Sequence, residues 1–128
     1  FLKLTGLIMS SQDSCVSIVP YFKVQEGKLK DFKALCEQFV SQTSEEAGCL
    51  YYGFCFNGDE AHCREGYEGA GNVLAHLENV GHLLAEALEI SELTKLEIHG
   101  NKDELAKLHE PLQEMNPDYF ILEYGFRH

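Results

Sequence analysis

The apolar residues of this chain recur with two different periods, and the order in which the periods alternate leaves few folds open. Residues 15–24, CVSIVPYFKV, are rich in β-branched and aromatic side chains and read as a strand. Val16, Ile18 and Phe22 fall on one side of it, Val19 and Tyr21 on the other, so both faces are apolar. Pro20 cannot donate to a ladder and predicts an edge position or a bulge. From Lys28 to about Glu46 the period lengthens: Leu29, Phe32, Leu35, Phe39 and Val40 stand at helical spacing, and Gly48 suits a C-terminal stop. LYYGFCF at 50–56 returns to strand character. Asn57-Gly58 then predicts a tight hairpin into a shorter, more polar strand at 61–68. A second helix is predicted from about Asn72 to Leu88, with Val73, Leu77, Val80, Leu84 and Leu88 on one face. LTKLEIH at 93–99 makes a fourth strand. A short helix over about 102–109 should end before Pro111, and DYFILEYGF at 118–126 makes the last strand.

The order βαββα followed by βαβ predicts an α+β fold of ferredoxin-like type, an antiparallel sheet with its helices on one face. Two helices of ordinary length cover one face only. Strands one, two and five nevertheless look apolar on both, and an uncovered apolar face implies a partner. Homodimerisation through the sheet face is the economical answer. The 128 residues make one domain, placed at 15–128, with 1–14 as an N-terminal extension, disordered or not native to the domain. Met9 is a candidate start, and the leading apolar stretch is too short for a signal peptide.

Ten basic against 21 acidic residues give a net charge of −11, with no basic stripe to meet phosphates, so nucleic acid is not an expected partner. No apolar run reaches the ~20 residues of a membrane span, so no membrane partner is expected either. Five cysteines, an odd number without a CxxC pair, read as reduced thiols in a cytoplasmic protein. Cys55, His62 and Cys63 could approach one another across the hairpin, but a fourth ligand is not apparent and no metal site is predicted.

The chemistry-bearing stretch is REGYEGAGNVLAHLENVGH at 64–82, a strand end, a glycine-rich joint and a helix. His76 stands three residues after Val73 and four before Val80, so it shares their sheet-facing side. A buried imidazole needs partners for its nitrogens. It either serves as a core histidine satisfied by a carboxylate or carbonyl, or it faces a cavity. Glu65 and Tyr67, two apart, share a strand face. Glu65 could orient an imidazole or pair with Arg or Lys, and Tyr67 could donate to a substrate carbonyl or plug the strand end. Asn72 could bind substrate or cap the helix.

Two segments resemble the antibiotic-biosynthesis-monooxygenase-like dimeric α+β barrels, over roughly residues 15–90. EEAGCLYYGF at 45–54 is similar to that family's acidic-x-Gly-Cys-Leu-x-Tyr passage from first helix to second strand. EGYEGAGNVLAH at 65–76 is similar to its Glu-x-aromatic strand end followed by a histidine-bearing helix. The resemblance implies a dimeric barrel with a cavity between helices and sheet, lined here by Phe22, Tyr52, Phe54, Glu65, Asn72 and Phe120. It implies chemistry without a cofactor: His76 would deprotonate an aromatic or quinol-like substrate held by Tyr67, and the anion would react with oxygen. Imidazole suits that work because its pKa of ~6.5 lies near working pH. The chain lacks tryptophan, which sets it apart from the haem-degrading relatives, and it has GAGN where relatives carry a capping Ser or Asp. The alternatives are a binding module for a lipophilic ligand such as an acyl chain, and a structural dimer without activity.

Overall fold

The computed structural model describes residues 13–128. The expected extension therefore lies, apart from residues 13 and 14, outside the described residues. Eight main elements follow in chain order: β1 (Val16–Val24), α1 (Leu29–Thr43), β2 (Cys49–Asn57), β3 (Glu60–Tyr67), α2 (Ala70–Ala87), β4 (Ser91–Gly100), α3 (Lys102–Ala106) and β5 (Asp118–Ile121). A 3-10 turn at Gln113–Met115 precedes β5. One five-stranded sheet has the order β2-β3-β1-β4-β5. Its first four strands pair antiparallel in ferredoxin-like order, and β5 is added parallel to β4. The sheet is thus mixed rather than purely antiparallel, because the short α3 crossover returns the chain in the direction of β4.

Pro20 occupies a central strand, not an edge. Its missing N–H coincides with a gap in the β1–β3 ladder, which runs from Ile18↔Glu65 directly to Tyr21↔His62. Against β4 the register shifts between Tyr21 and Phe22, so the bulge expectation holds and the edge expectation does not. Gly58 takes a positive φ of 63° in the β2–β3 hairpin, as the Asn-Gly signal predicts. The last strand is five residues shorter than predicted. Its partner β4 ends at Gly100, opposite Ile121, and beyond that no neighbour remains to pair with. α1 likewise ends at Thr43, and the turn that follows carries Glu46 toward α2.

The helices cover one sheet face, and the core beneath them falls into two clusters. One gathers Val16, Ile18, Tyr67, Val73, Ile98 and Leu108; the other gathers Phe22, Phe32, Phe39, Val80 and Leu83. Each such side chain contributes roughly 1.5–3 kcal/mol by leaving water. The N-terminus of α2 has Gly69 as its cap residue, which offers no side chain. Glu104 of α3 supplies the missing acceptor, taking the Ala70 N–H at 2.8 Å. Asn72 does not cap, and its amide lies against Gly48, where an added Cβ would collide with it. Asp13 is tied into the domain, accepting two hydrogen bonds from Arg127 at 2.8 Å each. Among the described residues no helix is long and apolar enough to cross a membrane.

Candidate active site

Alternation along β3 sends Cys63, Glu65 and Tyr67 to the helical side, and all three are buried. Along α2, Val73, His76 and Val80 lie on the buried stripe that meets them. His76 is 2% exposed, and its imidazole is approached from both sides. Its Nδ1 donates to Glu46 Oε2 at 2.9 Å, and its Nε2 stands 3.5 Å from Glu65 Oε1. Glu46 Oε2 also accepts from Asn79 Nδ2 at 2.7 Å. With Nδ1 donating to that oxygen, Nε2 is left as an acceptor toward Glu65. Tyr67 donates its hydroxyl to Glu65 Oε1 at 2.6 Å. The result is a row of polar groups, Glu46–His76–Glu65–Tyr67, hydrogen-bonded at both ends with a 3.5 Å approach between His76 and Glu65 in the middle. The long Glu65–His76 step is of the kind that tightens when a ligand closes the site.

Burial sets the protonation states. Glu65 has no Lys or Arg beside it among the described residues, and desolvation raises its pKa to about 7 against the lowering pull of the Tyr67 hydroxyl and Cys63 thiol. Desolvation likewise pushes His76 below its ordinary value, opposed by Glu46. Near neutral pH Glu65 is therefore poised between its protonated and ionised forms, beside an imidazole that burial biases toward the neutral form. Tyr52 and Tyr67 are held well above the ordinary phenol value, again first by burial and then by the Glu65 charge, so both remain hydroxyls.

A cleft opens beside this chain, at the seam between the two core clusters. Its volume is about 50 Å³ and its walls are almost wholly carbon. β1 contributes Pro20 and Phe22, β2 contributes Tyr52 and Phe54, and α2 contributes His76 and Leu77. Tyr52, Cys63, Glu65 and His76 supply the ionisable groups of the lining. Tyr52 stacks at a tilt on His76, with ring centroids 5.3 Å apart.

Of the residues expected from sequence, Phe22, Tyr52, Phe54, Glu65 and His76 meet at this cleft. Tyr67 lies behind it, fully buried, with its hydroxyl committed to Glu65 rather than free for a substrate carbonyl. Asn72 does not line the cleft. Phe120 sits on the opposite sheet face, 51% exposed and edge-on to His99. Its strand alternation puts Tyr119, not Phe120, on the helical side. Cys55 is exposed while Cys63 is buried, so the two thiols leave the hairpin on different faces, and no group of three metal-ligating side chains converges among the described residues. Glu46 and Asn79 were not singled out by the sequence reading. Glu46 is the acidic residue of the EEAGC passage, a signal that marked the family without revealing its partner. Asn79 stands three residues after His76, one helical turn along. Gln42 completes the brace by donating Nε2 to the Asn79 carbonyl at 2.8 Å.

Comparison with known proteins identifies the family and the fold. The family model described as antibiotic biosynthesis monooxygenase matches residues 15–68. MupZ from Pseudomonas fluorescens, a solved structure, is 45% identical, with 89% of this chain and 94% of that chain covered at a TM-score of 0.86. The chain belongs to the antibiotic biosynthesis monooxygenase family. More distant members of the fold include a conserved protein from Methanosarcina mazei Go1, with 19% identity, coverage of 72% of this chain and 97% of that one, and a TM-score of 0.66. Rv0793 from Mycobacterium tuberculosis is 21% identical, covers 66% of this chain and 92% of its own, and has a TM-score of 0.60. Both likenesses concern fold alone. Among curated proteins none matches the chain.

Proposed function

We propose that this family member is an enzyme that moves protons to and from an uncharged, lipophilic small molecule bound beside Glu65 and His76. The observation that carries the reading is Glu65 itself, a carboxyl buried in carbon, raised to about 7, and joined through His76 to the Glu46 carboxylate. Burial moves Glu65 up and His76 down from their ordinary values, and groups poised near the working pH are what acid–base chemistry requires. Tyr67 acts through Glu65 as a positioning residue.

Two reactions fit such a site. In the oxygenation that the family description suggests, His76 Nε2 or ionised Glu65 takes the proton of a phenol or hydroquinone. The electron-rich anion then reduces dioxygen, one oxygen atom entering the product and the other leaving as water. A redox-neutral reaction is favoured by the proton that Glu65 retains near pH 7. Given to a substrate oxygen, it would assist cleavage of a C–O bond or addition of an oxygen nucleophile, with His76 taking the proton released. A panel of hydroquinones and of lipophilic hydroxylated and cyclic ethers, assayed in air and under argon, separates them. Oxygen uptake abolished by His76→Ala supports oxygenation, and turnover persisting under argon supports the redox-neutral reaction. Absence of both, with a lipid found by native mass spectrometry, would leave a binding module.

The sheet's outer face, where Tyr51 is 39% and Phe120 51% exposed, is proposed to pack against a second copy. Sedimentation equilibrium should return twice the chain mass; a monomer at micromolar concentration would contradict it.

A further inference from the structure

The reactive cleft has a neighbour. On the far side of Leu93, Leu96 and Met115, which line both spaces, lies an open groove of about 320 Å³ bordered also by Thr94, Lys95, Asn116 and Asp118. The two spaces differ in kind. The inner one is narrow and almost wholly carbon-lined, with Tyr52, Cys63, Glu65 and His76 its polar members, whereas the outer one is predominantly polar. An inner cavity of about 50 Å³ exceeds the ~10–15 Å³ that one water requires, yet is too small for a fused ring system without repacking.

The partition between them is suited to opening. Met115 is half-buried at the end of the 3-10 turn, and the next residue, Asn116, is the only non-glycine residue with positive φ (50°) among those described. The Met115 side chain is unbranched, with three rotatable bonds, so it can swing without moving the backbone. Leu93 and Leu96 belong to β4 and are fixed by the sheet.

We propose that the ligand is an elongated amphipathic molecule that passes between Met115 and β4, its narrow apolar segment and one oxygen function lying inside beside Glu65 and its polar end in the outer groove. This names the substrate class for the acid–base reading, on which it rests for the choice of inner end. A compact aromatic would use only the inner space. A fully apolar chain would leave the outer polar groups unmatched, and matched polar groups are what fix orientation in otherwise apolar sites.

The probe is 1,10-decanediol, with oxygen at both ends, compared by titration calorimetry with 1-decanol and with 9-anthracenemethanol as a bulky, compact control. The diol should bind the wild-type protein, and Asn116→Ala with Asp118→Ala should weaken it several-fold while leaving 1-decanol unchanged. Met115→Trp should slow association at least 10-fold, and Met115→Ala should accelerate it in stopped-flow mixing, so that a poorly folded tryptophan variant does not decide the matter alone. The chain has no tryptophan, so the new indole also reports occupancy of the passage by fluorescence. The proposal is overturned if the diol does not bind at millimolar concentration, if Met115 variants leave its kinetics unchanged, or if 9-anthracenemethanol binds more tightly than either chain. Failure of the acid–base reading looks different: diol binding keeps its dependence on Met115 and Asn116 while no substrate is turned over.

Discussion

The two faces of the sheet each carry a histidine, carboxylates and aromatic rings, and they behave differently. On the outer face His99 Nδ1 meets Ser17 Oγ at 3.0 Å and its Nε2 lies 3.4 Å from Glu97, with Phe120 edge-on to the ring. Lys95 neutralises Glu97 at 2.8 Å and holds its pKa below the ordinary value. On the inner face the same residue types surround His76, but among the described residues no Lys or Arg pairs with them, and the helices cover the site. The side chain of His99 is 38% exposed and that of His76 is 3%. Residue identity alone does not make a site; the dielectric and the missing lysine do.

The largest effect that would sharpen this contrast is on turnover. Glu65→Gln keeps the shape and removes the proton, so kcat should fall by roughly 10²–10⁴-fold, the usual worth of a positioned acid or base. If Glu65 works as the acid, wild-type activity should also decline as pH rises through about 7, and a pH–rate profile in which Glu97→Gln matched the loss would break the comparison. Next comes Glu46→Gln, which removes the carboxylate fixing the His76 tautomer. It should lower kcat by about 10-fold or more with little change in KM, since it touches no ligand directly.

Stability supplies a third, smaller test. Glu65 has its folded pKa raised from 4.5 to about 7, so the fold retains a proton that the unfolded chain loses. Stability therefore falls as pH rises across that window, and the cost is fully present above it. Glu65→Gln should stabilise the protein at pH 8 by up to about 3 kcal/mol in urea melts. His76 works oppositely. Its folded pKa lies below 6.5, so stability is lost as pH falls below that value, when the unfolded chain takes the proton first. The two slopes oppose one another in mild acid, and Glu65→Gln should unmask the histidine limb as a steady loss on acidification. The smallest effect belongs to the outer face, where Glu97→Gln should cost about 0.2–1 kcal/mol and leave turnover unaltered.

Much of the fold was legible because its signals are local. Phe32, Leu35 and Phe39 at helical spacing, the Asn57-Gly58 turn and the alternation of β1 each depend on a few neighbouring residues. The end of β5 was not, because strand length depends on a partner that stops at Gly100, and the parallel pairing depends on a crossover. At the site, His76, Glu65 and Tyr52 could be placed on faces by period alone. Glu46 could not be joined to His76, since the contact spans 30 positions and arises from a turn after α1. Phe120 was misplaced for a smaller reason: a one-residue change of phase in a short strand moves a side chain to the other face.

The hydrogen bond from Ala70 to Glu104 bears on modularity. The segment matched by the family model stops at residue 68, two positions before the helix that carries His76 begins, and the acceptor at that helix start comes from α3, 34 positions downstream. A polypeptide trimmed to the recognisable family segment would discard the imidazole, and one trimmed after β4 would keep it on a frayed support. In this protein the shared portion carries Glu46, Glu65 and Tyr67, while the imidazole placed between them comes from the stretch beyond it, held in position from the C-terminal side.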